Sequence, residues 1–138
     1  MEHILGIDIG GSGIKGTLVD IEQGIFVKER YRIETPEIAD PDQIIQLIQK
    51  IIKHYNYSGK IGCGFPGVIH HGEVLTAANL SKKWIGVNIE QEIQRVTGQP
   101  VIALNDADAA GIAEFRFGEG KNIEGLVLLL TIGTGIGS

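Results

Sequence analysis

Two glycine-rich turns, each entered from a β-type run, set the terms on which this chain folds. Residues 5–16 read LGIDIGGSGIKG and residues 130–138 read LTIGTGIGS, so each turn carries a hydroxyl residue among its glycines. Glycine reaches backbone conformations, positive φ included, that aim successive N–H groups at an anion, and it leaves no side chain in the way. The first turn formally matches G-x-G-x-x-G through Gly11, Gly13 and Gly16. A dinucleotide fingerprint needs a helix directly after the glycines, to set its N-terminus on the pyrophosphate. Here residues 17–24 (TLVDIEQG) read as strand and then turn, and no G-x-x-x-x-G-K-[ST] spacing occurs. What remains is a phosphate-binding β-hairpin, with a tight turn that binds nothing as the plainer alternative.

Around that hairpin the periodicity alternates between sheet and helix. Residues 4–9 and 14–19 read as strands, and 24–33 as a third, antiparallel to them and entered by a turn at 22–24. Asp40, Pro41 and Gln43 open a helix as N-cap, first-turn proline and returning side chain of a capping box. Ile44, Ile48, Ile51 and Tyr55 share one face of it, widened by Ile45, Leu47 and Ile52. Residues 60–64 form a short strand ending at Phe65, Pro66 and Gly67. Residues 68–75 read as a hairpin turning at His71 and Gly72. Asn88 caps a second helix, with Gln91 three residues on and Gly98 ending it. Residues 101–104 read as a short buried strand closed by Asn105 and Asp106, and residues 107–117 as a helix. Residues 118–122 have linker composition, and residues 125–132 form a strand apolar on both faces.

At 138 residues the chain has room for one domain. Lysine plus arginine number 12 against 17 acidic residues, a net charge of −5 that argues against a general nucleic-acid or anionic-membrane binder. Cys63 stands alone. It rules out an internal disulfide and a cysteine-based zinc site within this stretch, and points to a reducing, cytoplasmic setting. No run approaches the roughly 20 apolar residues of a membrane span.

Chemistry concentrates at few positions. Asp8 ends the first strand, where a carboxylate either holds magnesium through water or caps a turn. Ser12 offers a hydroxyl to a phosphate oxygen, and Lys15 either offsets charge there or is simply solvated. Asp106 lies where a strand meets a helix, which suits a helix cap and a general base equally, and Asn105 is placed to hold the same substrate. Asp108 is left to solvent or a local ion pair, Asn79 to its loop and Trp84 to packing. His70 and His71, adjacent on a turn with no third ligand, are weak metal evidence.

Taken together, these segments resemble the sugar kinases of the ROK family, most closely the polyphosphate-dependent glucokinases. Residues 8–15 look like their first phosphate motif. Residues 65–67, then Asn79 and Leu80 with Trp84 behind, look like their sugar-side loops. Residues 101–111 (VIALNDADAAG) are similar to their catalytic-aspartate segment, and residues 130–138 to their second phosphate motif. The wider group usually has threonine where Ser12 stands, and Ser12 with Lys15 leans toward the polyphosphate branch.

The resemblance implies an α/β, ribonuclease H-like, actin-like ATPase fold: three antiparallel strands, then parallel strands added through helices. Residues 1–118 would be the first domain, and 119–138 a linker with the first strand and phosphate turn of an incomplete second. The implied reaction is phosphoryl transfer from polyphosphate or ATP to the glucose 6-hydroxyl, in a cytoplasmic homo-oligomer that needs no nucleic acid or membrane. Asp106 would be the base, while Gly67, Asn79, Asn105 and Asp106 would hold the sugar. Asp8, Gly10, Gly11, Ser12, Gly13, Lys15, Gly133, Thr134 and Gly135 would hold the donor phosphates, with Mg2+ at Asp8 through water. Lys82, Lys83 and Lys121 are candidates for a basic polyphosphate groove, and no zinc site falls in this chain. The chain is expected to be a truncated, self-associating fragment without activity. The alternative is a non-catalytic sugar sensor, since the group includes repressors; those carry a DNA-binding segment ahead of a first strand that here starts near residue 3.

Overall fold

A computed structural model describes residues 2–118, together with the backbone of residues 131–132 and 136–137. Strand β1 (His3–Ile9) pairs antiparallel with β2 (Gly13–Asp20), Ile9 facing Ile14 across the glycine turn. The edge beyond β2 is broken into β3 (Ile25–Phe26) and β4 (Tyr31–Glu34), both antiparallel to β2. Val19 faces Phe26 but Gly16 faces Tyr31, so three steps along β2 meet five along the edge, and residues bulge out between. The expected single strand over 24–33 is thus two. Side chains of other elements reach its carbonyls: the Thr17 hydroxyl donates to Lys28 O at 2.7 Å, and the Tyr55 hydroxyl, with one proton to give, lies 2.6 Å from Glu29 O and 2.8 Å from Gly16 O.

Helix α1 (Pro41–His54) starts where expected, with Asp40 Oδ1 accepting the Gln43 amide at 2.9 Å. The other half of the capping box is absent: Gln43 Oε1 is buried with no hydrogen-bond partner. Ile44, Ile48 and Ile51 are fully buried on the face of α1 that covers the sheet. Gly16 permits that approach, since a Cβ there would run into the Ile51 side chain. Strand β5 (Ile61–Phe65) then returns parallel to β1, the step that turns a meander into an α/β sheet. The hairpin β6 (Ile69–His70) and β7 (Glu73–Val74) turns through His71 and Gly72, both at positive φ, as its two-residue connection requires.

Trp84 ends a 3-10 turn (Lys82–Trp84) in full burial, its indole N–H donating to Ala39 O at 3.0 Å and its ring edge-on to Phe65. Packing, as expected, is its work. Helix α2 (Ile89–Thr97) runs from the Asn88 cap to Gly98, which is left-handed at φ 71°, and buries Ile89 and Ile93. Strand β8 (Val101–Asn105) adds parallel to β5, completing the order β3-β2-β1-β5-β8 with β4 also on β2. Only alternate residues of β8 are buried: Val101 and Ala103 face the core, while Ile102 is 67% and Leu104 39% exposed. Helix α3 (Asp106–Phe117) follows and buries none of its side chains.

With the third antiparallel strand split into β3 and β4, antiparallel strands followed by two in parallel are the order the resemblance implies. Two short strands, β9 (Thr131–Ile132) and β10 (Ile136–Gly137), pair antiparallel. The expected strand positions 125–130, the turn glycines Gly133 and Gly135, Thr134 and Lys121 lie outside the described residues. No helix among the described residues is long and apolar enough to cross a membrane.

Candidate active site

Parallel strands β1, β5 and β8 end at one edge of the sheet, and the candidate residues gather there, as ligands do in open α/β sheets. Asp8 of β1 stands opposite Gly64 of β5, which stands opposite Leu104 of β8, and Asp106 opens α3 just beyond. A Cβ on Gly64 would lie 3.6 Å from Asp8 Oδ1 and 3.8 Å from Asp106 Cβ. Gly64 is therefore the gap between the two carboxylates. Its signal in the sequence was a glycine inside a strand, the usual mark of a close approach.

Asp8 and Asp106 line the same cleft, about 680 Å³ between the open face of the sheet and α3. Lys15 and Arg30 border it too, and Phe117 closes it by laying its ring over Gly24 in the β2–β3 turn. The Asp8 side chain is exposed to the cleft, but the walls strip enough of its hydration to push its carboxyl above the ordinary 3.8. Lys15 opposes that shift, the charge of Asp106 adds to it, and Arg30 opposes it again.

Capping of α3 falls to Asn105, whose Oδ1 accepts from the amides of Ala107 at 3.0 Å and Asp108 at 3.1 Å. Its Nδ2 donates to Gly67 O at 2.8 Å. Asn105 thus ties the Gly67 loop to the start of α3 and keeps one amide proton for a ligand. Asp106 is freed from the N-cap role. Its Oδ1 takes the Ala107 amide at 2.8 Å, and among the described residues no donor meets Oδ2.

The glycine turn between β1 and β2 is pinned through its carbonyls. Gly13 O accepts from the Gly10 amide at 3.0 Å, Gly10 O from the Thr35 hydroxyl at 2.6 Å, and Ser12 O from the Thr35 amide at 3.2 Å. The Gly10 amide is thereby spent inside the turn. Among the described residues no acceptor meets the amides of Gly11 and Ser12, which is the arrangement an anion site needs.

The expectation that these glycines supply positive φ does not hold: Gly10, Gly11 and Gly13 all lie outside the left-handed region. Crowding by backbone and by the Asn79 loop constrains Gly10 and Gly11 instead, while at Gly13 the neighbour is a flexible side chain. A Cβ would come within 2.8 Å of Gly13 O at Gly10, 3.0 Å of Asn79 Cβ at Gly11, and 2.6 Å of the Arg32 guanidinium at Gly13. Asn79, expected on the sugar side, therefore rests against the phosphate turn, its loop anchored by buried Ala77 and Leu80. Lys82 and Lys83 are exposed on the 3-10 turn and do not border the cleft. The rings of His70 and His71 lie 4.2 Å apart, edge-on.

Known proteins match this arrangement over nearly the whole chain. A polyphosphate glucokinase of Mycobacterium tuberculosis (strain CDC 1551 / Oshkosh) is 50% identical over 137 residues, 99% of this chain and 52% of that protein. The crystal structure of an inorganic polyphosphate/ATP-glucomannokinase from Arthrobacter sp. strain KM superposes with a TM-score of 0.94 at 40% identity, over 99% of this chain and 57% of the other. A ROK family glucokinase from Streptomyces griseus, solved with glucose and AMPPNP, gives a TM-score of 0.85 at 30% identity, over 99% and 43%. The chain spans about half the length of the curated relatives it matches. The architecture is the actin-like ATPase fold of these kinases. The ROK family model matches residues 4–138, and the chain belongs to the ROK family.

Proposed function

We propose that this chain supplies one wall of a glucokinase site that moves a phosphoryl group from polyphosphate or ATP to the 6-hydroxyl of glucose. One observation carries this reading: two carboxylates flank Gly64 at the ends of parallel strands, beside a turn whose amides are open. The polyphosphate glucokinase and the ROK family glucokinase that it matches are kinases of that reaction class by name, while xylose repressors of Bacillus also match. Residues 1–118 are the first domain in this reading, and residues 119–138 are a linker and the first strand and phosphate turn of the second.

Phosphoryl transfer asks a protein for position and charge stabilisation more than for bond-making. Asp106 accepts the proton of the attacking hydroxyl through Oδ2, its Oδ1 staying fixed on the helix amide. Asn105 offers its remaining amide proton to the sugar, and Gly67 and Asn79 are assigned to the sugar by resemblance alone. The amides of Gly11 and Ser12 meet the transferred phosphoryl oxygens, with Lys15 adding positive charge. Gly133, Thr134 and Gly135 are assigned to the donor by resemblance alone.

Magnesium fits the residues present. No three histidine, cysteine or acidic side chains cluster among the described residues, so a cation here would have a carboxylate, water and donor oxygens as ligands. That is the set magnesium takes in phosphoryl-transfer sites. Asp8, whose ionised form is disfavoured by the cleft walls and by Asp106, is the side chain to hold it. When bound, the ion would neutralise charge developing on the donor.

The test is Asp106→Asn in the intact protein. We expect kcat to fall by roughly 10² to 10⁴, the usual worth of a positioned base, with glucose affinity and Tm unchanged. Near wild-type turnover with either donor would remove Asp106 from the role.

A further inference from the structure

Besides Lys82, Lys83 and Lys121, the candidates for a basic polyphosphate groove, a second cationic surface lies on the sheet. Asp8, Lys15 and Arg32 are direct cross-strand partners on β1, β2 and β4, so their side chains stand in one row on the cleft face of the sheet. Arg32 is not a loose surface arginine. Its Nη2 donates to Ser12 O at 3.0 Å, and its guanidinium lies so close over Gly13 that a Cβ there would meet Nε and Nη2 at 2.6 Å. Absence of a side chain at Gly13 is what lets the arginine lie there. Arg30 borders the same cleft, near enough to Asp8 to lower its pKa, with its guanidinium 5.8 Å from the centre of the Phe26 ring.

None of these cations is matched by a carboxylate in contact. Among the described residues, the ion pairs within 4 Å are Lys60–Glu2 and Arg95–Glu92. The acidic groups nearby are Asp8 opposite Lys15, Glu34 opposite Gly13 on the same face, and Glu29 before Arg30. Three cations without a carboxylate in contact, on a chain of net charge −5, run from the glycine turn along β2: Arg32 over Gly13, then Lys15, then Arg30 beside Phe26, which faces Val19. One of them, Arg32, is exposed and hydrogen-bonded to that turn's own carbonyl.

We propose that Lys15, Arg30 and Arg32 form a track for a linear chain of phosphoryl groups leading away from the turn, with Arg32 as its fixed contact. The proposal deepens the donor half of the kinase reading and rests on it. An arginine commits a planar set of five N–H donors, of which the bond to Ser12 uses one, and the fork matches phosphate oxygens. Anchoring removes much of the side-chain entropy that binding would otherwise cost. A nucleotide ends its charge at three phosphates. Only a longer chain gains from cations set beyond the turn that takes the terminal group.

Arg32→Ala and Arg32→Lys in the intact protein test this, with long-chain polyphosphate and ATP as alternative donors at saturating glucose. We expect Arg32→Ala to raise KM for long-chain polyphosphate about tenfold, the scale of one charge-assisted hydrogen bond. KM for ATP, kcat with ATP and Tm should stay within twofold or unchanged. Arg32→Lys, which keeps the charge but not the fork, should recover part of the loss. Equal losses with both donors would mean that Arg32 merely braces the turn, and no loss with either would mean that no phosphate reaches it; both overturn the track. Direct binding of long-chain polyphosphate, measured by titration calorimetry at low and high salt, separates this from failure of the kinase reading. A wild-type protein that phosphorylates nothing yet binds polyphosphate about tenfold tighter than Arg32→Ala would sink the activity and keep the track. Equal binding by the two would sink the track whatever the activity.

Discussion

On one face of the central sheet Leu5, Ile9, Ile14 and Phe65 are wholly buried under α1 and α2, whereas on the other Ile102 keeps 67% of its surface in solvent and α3 buries no side chain. The covered face is written in β-branched and aromatic residues that fill space. The open face sets glycines (Gly6, Gly62, Gly64) and the charges of Asp8 and Lys15 among apolar side chains, Val19, Phe26, Ile102 and Leu104, that line the cleft. Asp8 even carries a destabilised charge. The difference separates what holds the fold from what the fold holds in place: the fully buried side chains lie on one side of the sheet, and the candidate carboxylates face the other.

Substitutions on the two faces should therefore fail in different ways. The largest stability effect belongs to the covered face. Ile48→Ala removes a fully buried side chain of α1 and should cost about 2–5 kcal/mol in urea unfolding, with the remaining folded enzyme keeping its KM values. A cost near zero would show that α1 does not carry the core.

An intermediate effect is expected at Gly11, where the faces are joined through the turn. Gly11→Ala sets a methyl group 3.0 Å from Asn79 Cβ, so turn and loop must part by a few tenths of an ångström. We expect KM for donor and for glucose to rise together, several-fold each, by misplacement of both partners. This departs from the view of Gly11 as a donor residue alone; a rise confined to the donor would restore that view.

The smallest effect is a gain. Because Asp8 has its folded-state carboxyl raised above 3.8, the folded protein binds that proton more tightly than the unfolded chain does. Its contribution favours folding at low pH and is lost as pH rises through the shifted value. Asp8→Asn removes the ionised form. It should therefore raise Tm slightly at pH 7 while abolishing donor use, with the Tm advantage shrinking toward pH 3.8. A lower Tm for Asp8→Asn at pH 7 would mean that the carboxylate is stabilising, and that the open face is not strained as argued.

Local signals were the legible ones. Asp40 with Pro41, and Asn88 with Gly98, marked two of the three capped helices because a cap is formed within one turn of chain. Asp8 and Asp106 stood out as carboxylates at strand ends. Features that depend on distant partners were not legible. The edge strand breaks where Thr17 and Tyr55 reach its carbonyls, and Gln43 fails to return to its cap. Arg32 gave no signal at all, since a charged residue in a short edge strand reads as solvated surface.

What the sequence by itself determined is the alternation of strands and helices, the caps, and which residues are apolar enough to require burial. These follow from propensity and periodicity over a few residues. What only the tertiary structure decided is why the glycines are glycines and which charges meet. Gly64 is the space between Asp8 and Asp106, Gly11 is the seat of Asn79, and Gly13 is the bed of Arg32. In each case the reason is an atom brought close by parallel and antiparallel pairing across the sheet. Close approach is a property of the assembled register, not of the chain beside it.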